Sequence, residues 1–327
     1  MAVSVLAIVQ ARMGSTRLPG KVLKEINGKP LIEILLQRLS RSEKIDKIIL
    51  ATAENKENDI LTETVEKLGL DVFRGSEEDV LERYYQAAKK YNADSVVRIT
   101  GDCPLIDPII VDKAINTFFD KKVQYLNNVT PPTYPDGMDV EVFSYQILEH
   151  AWENAKTLQE KEHVTPFIRN NNDIKKEFLV NDHDWGNERL TIDEPKDFEV
   201  VSSVIEYFWP SLDFSLQDIM KLKKKNPEIF LANKTIGRDE GSISGTGQKL
   251  YQRAKKLIPG GTMLLSKRPE MFLPERWPSY FSKAKGCRVW DLEGHEYIDM
   301  SIMGIGTNIL GYGHPEVDEA VQKVVEK

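Results

Sequence analysis

Apolar positions in the first two-thirds of the chain switch repeatedly between two spacings. Val3–Gln10 (VSVLAIVQ) is a β-branched apolar run, long enough for a strand buried on both faces. Leu31, Ile34, Leu35 and Leu39 then recur at helical spacing. The same reading predicts strands over Lys47–Thr52, Asp71–Phe73 and Ser95–Thr100. It predicts helices over Glu57–Leu68, about Asp79–Tyr91 and about Pro108–Phe119. Strands alternating with helices at this interval imply an α/β fold, an open and mostly parallel sheet covered on both faces. Such sheets take ligands outside the carboxyl ends of their strands, so the turns after Gln10, Thr52 and Thr100 are where chemistry is expected.

The periodicity lapses in NKTIGRDEGSISGTGQ (Asn233–Gln248), a stretch rich in Gly, Ser and Thr that reads as a connection. The expected division is a domain over residues 1–235, a linker over 236–247 and a small α+β segment over 248–327. Charge supports it: Ser242 onward carries 12 basic and 10 acidic residues, against 32 and 41 before it. Within the last segment Lys249–Leu257 reads as an amphipathic helix, and Arg288–Trp290 with Tyr297–Ile298 as a hairpin.

Composition narrows the function classes. Apolar residues at 41% and charged residues at 29% of 327 suit a packed globular chain. No apolar run approaches the ~18–20 residues that span a bilayer, so no membrane insertion is expected. A net charge of −7 disfavours nucleic-acid binding through a basic surface. Two cysteines make no disulfide framework and point to a reducing cytoplasm. The five histidines show no ligand spacing for zinc.

The turn after the first strand, ARMGSTRLPGKVL (Ala11–Leu23), concentrates Arg12, Arg17 and Lys21 around Gly14 and Gly20. Cations on a glycine-bearing loop suit a polyphosphate: backbone N–H groups approach the oxygens and arginine gives forked hydrogen bonds. The bare alternative is a solvated basic loop. It is not a Walker loop, because five residues separate the glycines and Val22 follows Lys21; nor is a G-x-G-x-x-G present. After the Ser95–Thr100 strand, TGDCPLID places Asp102 where a carboxylate faces the crevice. Magnesium takes one or two carboxylates together with phosphates and water. Asp107, before Pro108, reads as a helix cap, and Cys103 as a buried neutral thiol. RLTIDEPKDFEVV reads as a short strand ending at Asp193, then a helix from about Pro195. In YPDGMDVEVF, alternation puts Asp139 and Glu141 on one strand face, with Asp136 nearby. These three bind acceptor hydroxyls or simply line a polar face. Glu162 and His163 read as opening a helix over HVTPFIRN.

QARMGSTRLPGKVL resembles the signature of cytidylyltransferases of the spore-coat polysaccharide and acylneuraminate type, which activate acidic sugars and polysaccharide precursors. The likeness continues through GSEEDVLERYYQAA, RITGDCPLIDP, YPDGMDVEVF, EKEHVTPFI and RLTIDEPKDFEVV. It implies a Rossmann-like sheet of the nucleotide-diphospho-sugar transferase type, CTP as donor and Mg2+ on Asp102 and Asp193. Arg12, Arg17 and Lys21 would then act on the phosphates. Gln10, Ala11, Gly14, Ser15, Thr100 and Gly101 would bind the nucleotide, with Arg74, Gly75 and Ser76 at its base or ribose. Asp136, Asp139, Glu141 and His163 would face a small sugar-like acceptor, and a homodimer is expected. The final segment, through IPGG, VWDLEGHEYIDM and ILGYGHPEV, resembles the opening of a class III aminotransferase similar to glutamate-1-semialdehyde aminomutase. The Schiff-base lysine of that family lies beyond what this chain contains, so pyridoxal phosphate is not expected here, and Lys283 and Lys285 read as solvated. The leading expectation is CMP transfer with release of pyrophosphate. The alternatives are a fragment of an aminotransferase or a non-catalytic nucleotide-binding module.

Overall fold

A computed structural model describes residues 5–15, 17–238, 246–262, 266, 268–273, 277–292, 294–300 and 308–325. The chain divides into two compact units at Arg238 and Asp239. That boundary falls inside the segment 236–247 read as a linker, and a helix already begins at Thr246.

The first unit is built on a seven-stranded sheet. Its strands are β1 (Val5–Gln10), β2 (Lys47–Ala53), β3 (Asp71–Gly75), β4 (Ser95–Thr100), β5 (Tyr125–Asn127), β6 (Glu141–Ser144) and β7 (Lys176–Phe178). Their spatial order is β3-β2-β1-β4-β6-β5-β7. Every neighbouring pair is parallel except those made by β6, which runs against both β4 and β5. The central strand shows why a continuous apolar run was required. Val5, Ala7 and Val9 of β1 enter one core, while Leu6 and Ile8 enter the other. The first core packs under α1 (Leu31–Leu39), α2 (Asp59–Lys67), α4 (Pro108–Lys121), α8 (Pro195–Phe208) and α9 (Leu216–Lys225). The second lies under α3 (Val80–Lys90) and α5 (Tyr145–Asn154). The sheet is thus Rossmann-like and mostly parallel, with helices on both faces.

Two local readings change. HVTPFIRN is not one helix: α6 (Leu158–His163) ends at His163, Val164 takes φ +69°, and α7 (Pro166–Asn170) starts afresh behind Pro166. His163 therefore closes a helix instead of opening one. The segment before Asp193 is not a strand; Arg189 makes an isolated parallel bridge to Asp136, and the backbone then runs irregularly to Pro195. Asp107 caps α4, accepting from the Ile109 N–H at 2.9 Å. Cys103 is buried, and burial pushes its thiol well above the ordinary range.

The second unit holds α10 (Thr246–Leu257), a three-stranded antiparallel sheet of β8 (Lys283–Lys285), β9 (Arg288–Trp290) and β10 (Glu296–Ile298), and α11 (Pro315–Val325). The hairpin expected here gains the third strand β8. Among the described residues no helix is long and apolar enough to cross a membrane.

Candidate active site

The loop after β1 leaves the sheet at its carboxyl edge, beside the loop after β4. Gly101 N–H donates to the Gln10 carbonyl at 2.7 Å and Ala11 N–H to the Ala51 carbonyl at 3.3 Å, so the ladder runs on to the strand ends and holds the loops after β1 and β4 side by side. Gln10 Oε1 is buried and finds no partner among the described residues. Asn58 anchors the loop from below, its Oδ1 accepting the Met13 N–H at 2.8 Å. Gly14 and Ser15 lie partly exposed on it. Gly20 then adopts φ +65°, a left-handed turn that an L side chain resists, and starts a single 3-10 turn at Lys21. That turn sends the Lys21 ammonium back over the sheet edge.

There it meets three oxygens: Asp102 Oδ2 at 3.0 Å, Asp193 Oδ1 at 2.9 Å and the Ile192 carbonyl at 2.7 Å. The convergence of two acids so distant in sequence has a backbone cause. The Asp102 carbonyl accepts the Ile192 N–H at 2.8 Å and the Thr191 hydroxyl at 3.2 Å, which docks the loop bearing Asp193 against the end of β4. Burial opposes ionisation of Asp102, but Lys21 and the hydroxyl of Thr100 overcome it and hold the carboxyl down at about 2. Burial likewise works against the Lys21 charge, and Asp102 and Asp193 more than restore it, raising its pKa. Thr100 and Gly101 thus flank Asp102 and shape its end of the crevice.

Arg17 extends the cluster, meeting Asp193 Oδ1 and Glu194 Oε1 at 3.1 Å each. Arg12 stands apart, exposed and 3.8 Å from Glu77. Behind Asp193 lies a residue the sequence reading quoted but gave no role. Buried Arg189 forks to Asp197 at 2.8 and 2.9 Å, to Asp136 at 2.7 Å and to Asp193 Oδ2 at 3.1 Å. Asp197 is wholly buried in the first turn of α8 and also accepts the Asp193 and Glu194 N–H groups. The legible signal was E-P-x-D opening a helix, a capping arrangement with an arginine nearby. Gly137, at φ +100°, makes the contact possible, since a Cβ there would lie 2.5 Å from the Leu190 carbonyl carbon.

The structure brings Lys21, Arg17, Asp102 and Asp193 together and joins Asp136 to them through Arg189. Asp139 lies just before β6, bonded by Arg238 at 2.5 Å. Glu141 is a correction. It lies inside the sheet, 2% exposed, with Arg98 on one oxygen and Tyr125, Thr165 and Arg169 on the other. With its acceptor sites filled and its face covered, it has no access to an acceptor. The helix of His163 is tied instead to α3, through Lys161 and Asp79 at 2.9 Å. Arg74 latches the loop after β2, bonding Asp59 and the Glu54 and Asn55 carbonyls. With Gly75 and Ser76 it lines a groove of about 560 Å³ at the β3 edge, floored by Phe73 and Arg83.

A divalent cation fits the acid pair. The stand-in is Lys21 itself, whose single positive charge sits between two carboxylates. Two carboxylates are a donor set that a magnesium-type ion takes when phosphate and water complete its shell. In the second unit Lys283 and Lys285 stand exposed on β8.

Comparison with known proteins bears on the first unit above all. An uncharacterized protein of Methanocaldococcus jannaschii is 39% identical over 235 residues, covering 71% of this chain and 95% of its own. The spore coat polysaccharide biosynthesis protein SpsF of Bacillus subtilis is 34% identical, covering 68% of this chain and 95% of its own. A solved cytidylyltransferase from Leptospira borgpetersenii superposes with a TM-score of 0.68 at 38% identity, over 70% of this chain and 97% of that one. Residues 274–327 match the class III aminotransferase family, a short likeness that marks the second unit only in part. Residues 6–236 match the cytidylyltransferase family, and the chain belongs to that family of CTP-using nucleotidyltransferases.

Proposed function

We propose that the protein transfers CMP from CTP to a sugar, or to a sugar or amino-alcohol phosphate, releasing pyrophosphate in cell-surface polysaccharide biosynthesis. The observation that carries this is the convergence of Lys21, Asp102 and Asp193 at the sheet's carboxyl edge, in a chain similar to SpsF over most of its length. The triphosphate would lie along Ala11–Lys21, with N–H groups of the loop and Gly14 and Ser15 against its oxygens, and Arg12, Arg17 and Lys21 neutralising it. Gln10, Thr100 and Gly101 would close the crevice, and Arg74, Gly75 and Ser76 would border the nucleoside. Asp102 and Asp193 would hold a divalent cation, Mg2+ by the oxygen donor set; when bound, it supplies charge neutralisation and alignment of the phosphates.

The chain's own task is positioning. An acceptor oxygen attacks the α-phosphorus, a new P–O bond forms, and the bond to the β-phosphate oxygen breaks, so that pyrophosphate leaves. No covalent nucleophile is needed, since the gain comes from alignment and charge stabilisation. Asp136, held beside the acid pair by Arg189, Asp139, and His163 would meet acceptor hydroxyls. A second copy of the chain as partner belongs to the same proposal. The test is pyrophosphate release from each of four nucleotides against acidic sugars and small phosphates. Release with CTP and one acceptor class is expected; release with none, or equal use of all four nucleotides, would overturn the reading.

A further inference from the structure

Lys21 stands where the cation of the proposed function would stand, and the arrangement is too complete for a passing contact. An ammonium has three donors, and Lys21 places all three on the acid pair and the carbonyl between them. Its side chain is 12% exposed, against 27% and 20% for Asp102 and Asp193. Asp193 Oδ1 also receives Arg17, and Oδ2 receives Arg189. Arg189 is fixed by Asp197 behind it and cannot leave; Lys21 sits at the start of a single 3-10 turn on an open loop. A lysine is a compact charge on a flexible four-carbon stem, which suits movement where a forked arginine would suit permanence.

We infer that Lys21 is a resident counter-cation that holds Asp102 and Asp193 in ligating position and yields them to the divalent cation when nucleotide phosphates arrive to receive its ammonium. This rests on the proposed function for the identity of the metal ligands. Two cations cannot share the position between the carboxylates, so metal without nucleotide must displace Lys21 into solvent. Metal arriving with nucleotide offers Lys21 new anionic partners. The site therefore discriminates against bare metal and favours the metal–nucleotide complex.

Binding of Mn2+ to the full chain, read from the loss of its free electron paramagnetic resonance signal, tests this. Wild type should bind Mn2+ alone at least about tenfold more weakly than Lys21→Met does, a difference CTP should largely erase. Equal affinity of the two proteins for Mn2+ alone would overturn the exchange. Should Lys21→Met not fold, Lys21→Gln keeps an uncharged donor to the carboxylates and should show the same gain. A measurement on wild type needs no variant: trace acetylation followed by peptide mapping should find Lys21 several-fold more reactive in saturating Mg2+ alone, and protected again once CTP is added. Unchanged reactivity would equally overturn it. A different failure separates the underlying reading. If Asp102→Asn leaves Mn2+ binding intact in every background, these acids are not the metal ligands, whatever Lys21 does.

Discussion

Two clusters of cations and carboxylates lie at the sheet, and they teach different things. Around Glu141 the chain has closed the circuit. Arg98 faces Glu141 directly across the antiparallel β4–β6 pair, 2.7 Å away, while Tyr125, Thr165 and Arg169 fill the other oxygen. Around Asp102 and Asp193 the carboxylates stay partly open to solvent, and one of their cations is a lysine on a loop. A charge sealed beneath a sheet can only stabilise or destabilise the fold. A charge at a strand's carboxyl end, in reach of water, can change partners. The same residue types thus serve as structure in one place and as a site in the other.

The sharpest way to break this comparison is Glu141→Gln. Leaving Arg98 and Arg169 without their counter-charge should cost about 3 kcal/mol, the low end for a broken buried pair because Arg169 is about a third exposed. Urea denaturation measures it. Burial opposes the Glu141 charge, yet Arg169 and Arg98 hold the carboxyl below its ordinary range. Its contribution is therefore present above the unfolded value, ~4.3, and lost as pH falls through the lower folded value. That acid limb of the stability curve should be absent from the variant. Turnover of the folded protein should be unchanged; a large loss of turnover with wild-type stability would place Glu141 in the site after all.

Asp102→Asn is the converse. Loss of a group acting on transition-state charge costs ~10²–10³ in rate, so pyrophosphate release should fall by about that much. Unfolding free energy should fall by about 2 kcal/mol, the weight of holding that carboxyl near 2, and by less than at Glu141 because Lys21 keeps two partners. Arg189→Lys should fall between these. A lysine cannot fork to Asp197 while reaching Asp136 and Asp193. About a tenfold rise in the KM for the metal–nucleotide is expected, with kcat changed less, because Arg189 positions Asp193 and touches no substrate. A pure loss of stability with unaltered KM would make Arg189 merely structural.

What could be seen beforehand follows the same division. β1, α1 and β4 were legible because a strand buried on both faces or a helix with one apolar stripe imprints itself over six to nine consecutive residues. β5 and β7 are three residues each and carry no usable period. HVTPFIRN misled because its apolar spacing is helical, while the left-handed backbone at Val164 interrupts it. At the site, Asp102 was legible from its place past a strand. Its meeting with Lys21 spans 81 residues, and the meeting of Lys21 with Asp193 spans 172, separations at which no local pattern speaks. Arg189 and Asp197 went unassigned because their role exists only once the Asp136 and Asp193 loops are docked side by side. Glu141 was misread because alternation tells which face a side chain takes and is silent on whether that face is covered.

Arg12 offers the smallest effect and the finest distinction. Its guanidinium lies 3.8 Å from Glu77 with both side chains nearly half exposed, a pair worth ~0–1 kcal/mol in water. Arg12→Ala should therefore leave the unfolding free energy within about 0.5 kcal/mol of wild type. If Arg12 waits for a phosphate, the variant should nonetheless raise the KM for CTP several-fold. It should also flatten the rise of that KM with ionic strength, because one screened charge has been removed from the encounter. An unchanged KM with an unchanged salt dependence would reduce the phosphate-binding face of this loop to Arg17 and Lys21. The open cluster would then consist only of the two cations that meet on Asp193, and exchange at Lys21 would leave Arg17 alone to hold that acid from the loop.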